Sequence, residues 1–478
     1  MTTARAGRVE VFLTRWRPIL PLLVAEAILW IGFGAILPVL PLYMTEKGID
    51  PVTLGLVVAA WPAARLFAEP AFGWLADRTE RVPLMVAGLF ISTVVAFVPL
   101  LLIGPVEFFV VRLVSGLGAA MYDPAARGFI VDATADDERG EAFGLYSAAQ
   151  MGGFLVGPAI GGIGAGLLGQ WFPFVFATIA GMVAAVYLLL TAKEPERRHA
   201  PQGLALPPPD LVGELQSSPT QRPVATSADI SALGAGPLPA VPAAVASAVA
   251  GPHDPASPVA MKTIYLPPAS FWNRMLVAAV VINFGSFFAS GTYEVVWSLF
   301  MERIGASLEL IGVSFAIFAI PILLLSPLAG RWVDRLGALR FIILGAAMII
   351  TAAFLYPAIA DPYLVLPVSV LEATGFAILG PAVYAVVSWG SPAGRSSTAQ
   401  GLFGAAGTLG FIVSSLIAGE LWSRGIALPF QFFAATLLVT TLIALAIGRG
   451  RLDGADPSLM VRVPVQASPV TAVAEGTS

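Results

Sequence analysis

Cysteine is absent from the chain, and histidine occurs only at positions 199 and 253. The first absence excludes disulfides and thiol chemistry. Both histidines fall between two sets of long apolar segments, so neither a histidine proton relay within those segments nor a histidine-based metal site is available. Asp, Glu, Lys and Arg together make up only 12% of the 478 residues, too few to clothe a water-soluble protein of this size. There is no Gly-rich phosphate loop ending in Lys and Ser or Thr, which argues against ATP as an energy source. These absences lead to the expectation of a non-enzyme with no cofactor, no metal and no nucleic-acid partner.

What the chain has in abundance is apolar sequence: 57% of its residues are hydrophobic and the mean hydropathy is +0.84. A bilayer core of about 30 Å takes roughly 20 apolar residues per helical crossing. About twelve such runs are present, near 18–43, 51–72, 82–103, 105–128, 141–168, 172–192, 274–300, 308–329, 340–360, 363–390, 398–421 and 428–448. The fold class expected is therefore an all-α polytopic membrane protein, twelve transmembrane helices in two pseudo-symmetric six-helix bundles. The divisions are a cytoplasmic N-terminus (1–17), a first bundle (18–192), a linker (193–270), a second bundle (271–448) and a cytoplasmic tail (449–478). The first run is a full span after Arg5, Arg8, Arg15 and Arg17, so no cleavable signal peptide is expected. With both termini inside, about 21 of the 26 Lys and Arg are cytoplasmic; Lys47, Arg303 and Arg424 fall outside, and Arg65 and Arg112 lie within spans. The expected location is the cell's inner (cytoplasmic) membrane.

Sliding the chain against itself gives one recurrent shift, 257 residues, without gaps. It maps Gly34 on Gly291, Gly55 on Gly312, Pro70 on Pro327, Gly73 on Gly330, Asp77 on Asp334, Arg78 on Arg335, Gly88 on Gly345, Gly118 on Gly375, Pro124 on Pro381, Gly153 on Gly410 and Gly162 on Gly419. The halves read as structural copies, an organisation suited to a transporter whose halves tilt about a midplane site. Residues 193–270, rich in Pro, Ala, Ser and Gly, read as a disordered cytoplasmic linker, with a regulatory or docking segment as the alternative.

Between the second and third runs stands Gly73-Trp74-Leu75-Ala76-Asp77-Arg78, and between the eighth and ninth Gly330-Arg331-Trp332-Val333-Asp334-Arg335. The fifth run carries Gly153-Phe154-Leu155-Val156-Gly157-Pro158-Ala159-Ile160-Gly161-Gly162. Gly32, Pro38 and Pro41 in the first run and Arg112, Gly116 and Gly118 in the fourth fit the same pattern. The chain thus resembles the major facilitator superfamily, and within it the proton-coupled, twelve-helix drug exporters; the resemblance covers both halves. It implies that Asp77 docks on the start of the eleventh span, near Ser397 and Thr398, as a conformational latch, where a helix N-terminus favours an anion. It also implies that Arg112 serves proton coupling, and that Gly153, Gly157, Pro158, Gly161 and Gly162 form an antiporter helix acting as a seal; ordinary packing with a kink is the alternative. The first loop departs from the pattern, having Glu80 where the second has Gly337, which puts its tight turn in question.

Charged groups inside the spans are not shared between the halves: Glu26 faces Asn283 in the repeat, Arg65 Ile322, Arg112 Ser369 and Glu372 Ser115. An intramembrane charge is costly and therefore marks function. Glu26, Arg65 and Arg112 are the proton-coupling candidates, with a static Glu26–Arg65 or Arg65–Glu69 brace as the competing reading. Asp123 and Asp132 read as solvated groups at or beyond the inner end of span four. Trp30, Phe33, Gln150, Asn283, Phe287, Glu294 and Glu372 are the candidates for a substrate cavity with aromatic walls and carboxylates. The function expected is multidrug-type efflux of lipophilic or cationic small molecules by a proton antiporter, a monomer among membrane lipids. A narrow metabolite or sugar exporter is the first rival; a non-transporting receptor or lipid scramblase is the second.

Overall fold

The computed structural model describes residues 14–135, 138–195, 259–265, 270–392, 395–452 and 460–466. Two units are separable, residues 1–197 with 267–456, and residues 198–266 with 457–478. The first is helical: α1 (Leu20–Ile36), α2 (Leu40–Glu46), α3 (Pro51–Ala76), α4 (Arg81–Phe97), α5 (Pro105–Ala133), α6 (Arg139–Leu168), α7 (Phe172–Thr191), α8 (Arg274–Arg303), α9 (Leu308–Leu336), α10 (Leu339–Leu355), α11 (Pro362–Gly390), α12 (Ser396–Arg424) and α13 (Leu428–Ile447). Twelve of the resulting segments are long and apolar enough to cross a membrane, α1 and α2 together making the first.

The ends of these helices are written locally. Pro51 opens α3 behind Asp50, whose side chain accepts the N–H groups of Val52 and Thr53. The Thr53 hydroxyl, then its backbone N–H, hold the Asp50 carboxyl below its ordinary range. Asn273 caps α8 and donates to the Gly390 carbonyl at 2.7 Å, tying the start of α8 to the end of α11. Glu194, just past α7, accepts the N–H groups of Arg81 and Val82 at 2.7 and 2.9 Å and so caps α4 from another helix. The loops after α3 and α9 turn differently. Gly337 has φ +85°, the left-handed conformation that glycine favours, whereas Glu80 is extended at φ −58°, ψ 138°. The first loop reverses without a left-handed residue, which answers the question raised by Glu80.

Packing divides the bundle along its length. Two clusters of buried apolar residues at the end where α1 begins and α13 finishes each belong to one half: Trp16, Ile19, Leu22, Met85, Phe129 and Leu188 in the first, Leu276, Ile282, Ile342, Val386 and Phe433 in the second. A third cluster, at the opposite, remote end, joins both halves, with Leu42, Met44, Val58, Phe108 and Phe174 against Val296, Phe300, Tyr356 and Phe430. The halves are therefore united at the remote end and packed separately at the other.

Two helix crossings make that union, and the 257-residue repeat is realised in them. A Cβ on Gly312 of α9 would lie 2.8 Å from the Gly162 Cα of α6 and overlap the Pro158 carbonyl. At the repeat-related crossing, a Cβ on Gly55 of α3 would overlap the Ser415 carbonyl of α12, and one on Gly419 the carbonyl of Pro51. Within the first half, Gly153, Gly157 and Gly161 lie on α1; a Cβ on Gly161 would sit 2.6 Å from the Ala35 Cα. Spacing of four residues puts the three on one stripe.

In the second unit, β1 (Val259–Tyr265) and β2 (Met460–Gln466) pair antiparallel with Lys262 opposite Val463. This departs from the reading of 193–270 as structureless. β1, the strand that falls in that segment, reads Val-Ala-Met-Lys-Thr-Ile-Tyr, a short β-prone run hidden in an average dominated by Pro and Ala. Residues 196–258 and 266–269 of that linker lie outside the described residues.

Gly161→Val is expected to lower the unfolding midpoint in detergent, overpacking here costing roughly 1–3 kcal/mol. Gly144→Val is expected to leave it unchanged, since nothing lies within 4 Å of a Cβ there. Equal midpoints for both variants would show that the α1–α6 contact is looser than described.

Candidate functional site

Glu26 is fully buried on α1. Four residues on, Trp30 Nε1 donates to its Oε1 at 2.9 Å. Gln150 Nε2 of α6 donates to the same oxygen at 2.6 Å, and Tyr122 Oη of α5 to Oε2 at 2.5 Å. All three donors are neutral. Such a carboxyl, sealed from water and held by hydrogen bonds with no cation on it, can carry or release a proton without losing its place.

Arg65 does not pair with Glu26. Its guanidinium bonds Glu69 one turn on (Nε at 2.8 Å) and Asp123 of α5, and stacks 4.7 Å over the Trp61 ring. Asp123 also lies 3.8 Å from Arg127. The expectation that Asp123 and Asp132 are solvated is overturned: α5 continues to Ala133, five residues beyond the expected end of its span, so both lie on it. Asp123 is tied by Arg65, and Asp132 is buried against Arg81 Nε at 2.7 Å. Gly128 makes room for the Arg81 side chain, since any Cβ there would overlap its guanidinium.

Arg112 reaches across to the other half. Its Nη2 donates to Glu294 Oε1 of α8 at 2.5 Å and approaches the Val58 carbonyl at 3.5 Å. Both side chains are mostly buried, at 11% and 16% exposure. The coupling candidate Arg112 and the cavity candidate Glu294 are thus one ion pair spanning the remote, closed end of the molecule.

Trp30 and Phe33 line a cleft of about 1080 Å³, counting the space open to solvent, together with Trp61, Arg65, Arg112, Tyr122 and Asp123. The rings form a wall: Trp30 meets Phe33 edge-on at 5.5 Å, and Phe33 stacks on Trp61 at 5.8 Å. Other cavity candidates have different employment. Asn283 is buried and donates to the Phe403 carbonyl at 2.7 Å, bracing α8 on α12, with the half-exposed Phe287 beside Gly407. Glu372 is buried inside the second half, where it accepts from Tyr293 Oη (2.5 Å) and Tyr356 Oη (2.7 Å). Trp297 and Phe430 pack around those tyrosines. Its place on α11 turns it into its own bundle, away from the cleft, so it is a core carboxyl and not a wall of that cleft.

At the latch, Asp77 ends α3 with its side chain 72% exposed and 3.9 Å from Arg81 Nη2. Arg78 folds back onto the Trp74 ring at 4.0 Å and donates to the Trp74 carbonyl. The Ser397 side chain and that of Asp334 lie outside the described residues. Gly73 and Gly330 are uncrowded, and Arg335 is exposed. The antiporter helix is a two-sided spacer: Gly153, Gly157 and Gly161 face α1, while Pro158 and Gly162 face α9 of the other half. Pro158 also fills the notch at Gly34.

These features define a class: a twelve-span helical membrane protein of two repeated halves, with a buried carboxyl and an interhalf ion pair beside an aromatic cleft. A family model, Major Facilitator Superfamily, matches residues 22–293 and 279–459. The chain belongs to the Major Facilitator Superfamily and is a transporter. It is 26% identical over 429 residues to multidrug resistance protein 1 of Bacillus subtilis (strain 168), covering 88% of this chain and 93% of that protein. Quinolone resistance protein NorA of Staphylococcus aureus is 29% identical over 170 residues, 36% of this chain and 44% of NorA. Among solved structures, a D-xylose–proton symporter superposes with a TM-score of 0.62 at 16% identity, over 91% of this chain and 98% of that one. A bacterial homologue of the human lysosomal transporter Spinster, in an inward-facing, occupied conformation, gives 0.64 at 16% identity, over 92% and 99%. The structural likenesses establish the fold.

Glu294→Gln is expected to destabilise the purified protein by about 3 kcal/mol, because it strands Arg112 in a buried place. The double variant with Arg112→Met should recover a large part of that loss. Strict additivity of the two changes in unfolding free energy would mean that the pair contributes nothing.

Proposed function

We propose that this transporter exports lipophilic, cationic or zwitterionic small molecules across the cytoplasmic membrane in exchange for protons, as a monomer with both termini in the cytoplasm. One observation carries the reading: Glu26 is a fully buried carboxyl held by three neutral donors beside an aromatic cleft. Trp30 belongs to both, donating to Glu26 Oε1 and lining the cleft. A ligand against the Trp30 ring therefore disturbs one of the hydrogen bonds that hold the carboxyl, and the protonation state of the carboxyl in turn sets the strength of that bond. Exchange follows if substrate and proton compete through that shared residue. With the termini cytoplasmic, the union of the halves at the remote end leaves the substrate path open to the cytoplasm. Transition to the outward state then requires parting Arg112 from Glu294 and the two glycine crossings, and closing the halves near Asp77. The matching names among the relatives, multidrug resistance protein 1 and NorA, favour a drug-like substrate.

In proteoliposomes loaded with a pH-sensitive dye, a lipophilic cation such as tetraphenylphosphonium is expected to release protons from an imposed gradient. Glu26→Gln should reduce that release at least tenfold while tetraphenylphosphonium still binds. Unchanged release in the variant removes Glu26 from the coupling step, and no release from the parent protein with any lipophilic cation overturns the export reading.

A further inference from the structure

At the end where α1 begins and α13 finishes, the two halves hold the same number of cations and very different numbers of carboxyls. In the first half, residues 14–19, 74–83, 127–141 and 191–195 contain seven Arg and Lys and eight Asp and Glu. The stretches 257 residues on, 271–276, 331–340, 384–398 and 448–452, contain seven Arg and one acid, Asp334. Asp453 and Asp456, which follow directly, still leave an excess of four cations. A bias of Lys and Arg to one side orients a membrane protein, and the two halves satisfy it equally. That rule leaves the loss of carboxyls from one half unexplained.

Pairing follows composition. In the first half Arg15 meets Glu138 and Glu141, Arg81 meets Asp132, and Arg127 lies 3.8 Å from Asp123. The repeat places Ala338 and Trp389 where the first half has Arg81 and Asp132, so that buried pair has no counterpart. The side chains of Arg274, Arg331, Arg335, Arg340, Arg395 and Arg449 make no ion pair among the described residues, and all six are exposed.

Local structure fixes two of them at a lipid-facing edge. Arg340 stands in the first turn of α10, three and four residues before the exposed Ile343 and Leu344, and so ends the outward apolar stripe of that helix. After α13, Leu452 is buried in one core cluster with Leu276 and Val387, which pins the intervening turn and leaves Arg449 outside. α10 and α13 pack on each other and on α11 and α8 of their own half. Their outer faces expose Phe354, Leu438 and Leu442. Trp272 and Trp332, 66% and 43% exposed, stand at the same end, as amphipathic rings do at the headgroup level of a bilayer.

Unpaired cations at the end of an outward apolar surface fit a ligand with both properties, an anionic headgroup on acyl chains. We infer that this rim of the second half is a docking surface for an anionic phospholipid. The phosphodiester oxygens accept from Arg340 and Arg449, with Arg335 on the other side of the Gly337 turn, and the acyl chains lie along α10 and α13. Every cation of the rim is an arginine, whose planar fork matches two phosphate oxygens at once. The first half, where carboxyls match the cations in number, offers no such surface. The inference is independent of what the protein transports.

Purified full-length protein is re-isolated from mixed micelles containing equal amounts of phosphatidylglycerol and phosphatidylcholine with identical acyl chains, and the bound lipid is quantified by mass spectrometry. Phosphatidylglycerol is expected to be favoured at least about tenfold at low salt, and less as salt is raised. Arg335→Gln, Arg340→Gln and Arg449→Gln together should bring the ratio within about twofold of unity, while Arg340→Gln or Arg449→Gln alone should lower it about fivefold. Arg15→Gln, Arg17→Gln and Arg78→Gln together, which remove as much charge from the first half, should leave it within about twofold of the parent's. If the rim triple variant fails to fold, the two single variants decide. A parent ratio near unity, unchanged ratios in both single variants, or equal losses in the two triple variants overturns the inference. Millimolar glycerol phosphate should leave the phosphatidylglycerol in place; its complete displacement would make the rim a site for soluble phosphate and would equally overturn it.

Discussion

Backbone meets backbone where Gly162 of α6 crosses Gly312 of α9 and where Gly419 of α12 crosses Gly55 of α3, and the rest of the molecule is arranged around that closeness. In a bilayer, apolar side chains gain little by leaving lipid for one another, so helices associate through contact, and contact is greatest where side chains are smallest. The two crossings are the same crossing twice, related by the repeat, and both lie at the remote end. They bring the walls of both halves close enough for Leu42, Phe108 and Phe174 to share one core with Phe300, Tyr356 and Phe430. At the other end no such glycines meet across the halves among the described residues, and each half keeps its own core.

Charge is distributed by a second constraint, that every ion inside the spans be answered within the protein. Arg65 draws Glu69, Asp123 and the Trp61 ring around itself, Arg81 takes Asp132, and Arg112 finds its partner on the opposite half. Glu26 and Glu372 are answered by hydroxyl, amide and indole groups instead. The two kinds of carboxyl differ in consequence: one sort is fixed by its cation, while the other can exchange a proton within an unchanged set of contacts.

Much of this was legible in the sequence, and for identifiable reasons. The twelve runs were visible because bilayer thickness fixes their length, and the repeat because glycine positions at close crossings tolerate no side chain. Glu26, Arg65 and Arg112 stood out as charges within apolar runs. Their partners did not. Glu69 is one turn from Arg65 and was weighed, but Tyr122, Asp123 and Gln150 approach from other helices, and no spacing along one helix reveals such neighbours. Trp61, four residues before Arg65, carried a readable signal that helical periodicity alone would have supplied. Asp123 and Asp132 were read as solvated because they lie near or beyond the inner end of the fourth run, whereas α5 persists five residues past that run and an arginine holds each. Glu372 was placed on a cavity by depth and Asn283 by the helical face it shares with Phe287 and Glu294; the contacts each makes depend on the neighbouring helices, and Tyr293, Tyr356 and the Phe403 carbonyl supply them.

The ion pair between Arg112 and Glu294 has a further consequence, an electrical one. Its positive end belongs to one half and its negative end to the other, within the membrane-spanning helices. Any motion that parts the halves there pulls opposite charges to different depths. A unit charge carried through the whole membrane changes in energy by about 2.3 kcal/mol for each 100 mV. Over even a fraction of that distance, the balance between the pair closed and the pair parted becomes a function of voltage.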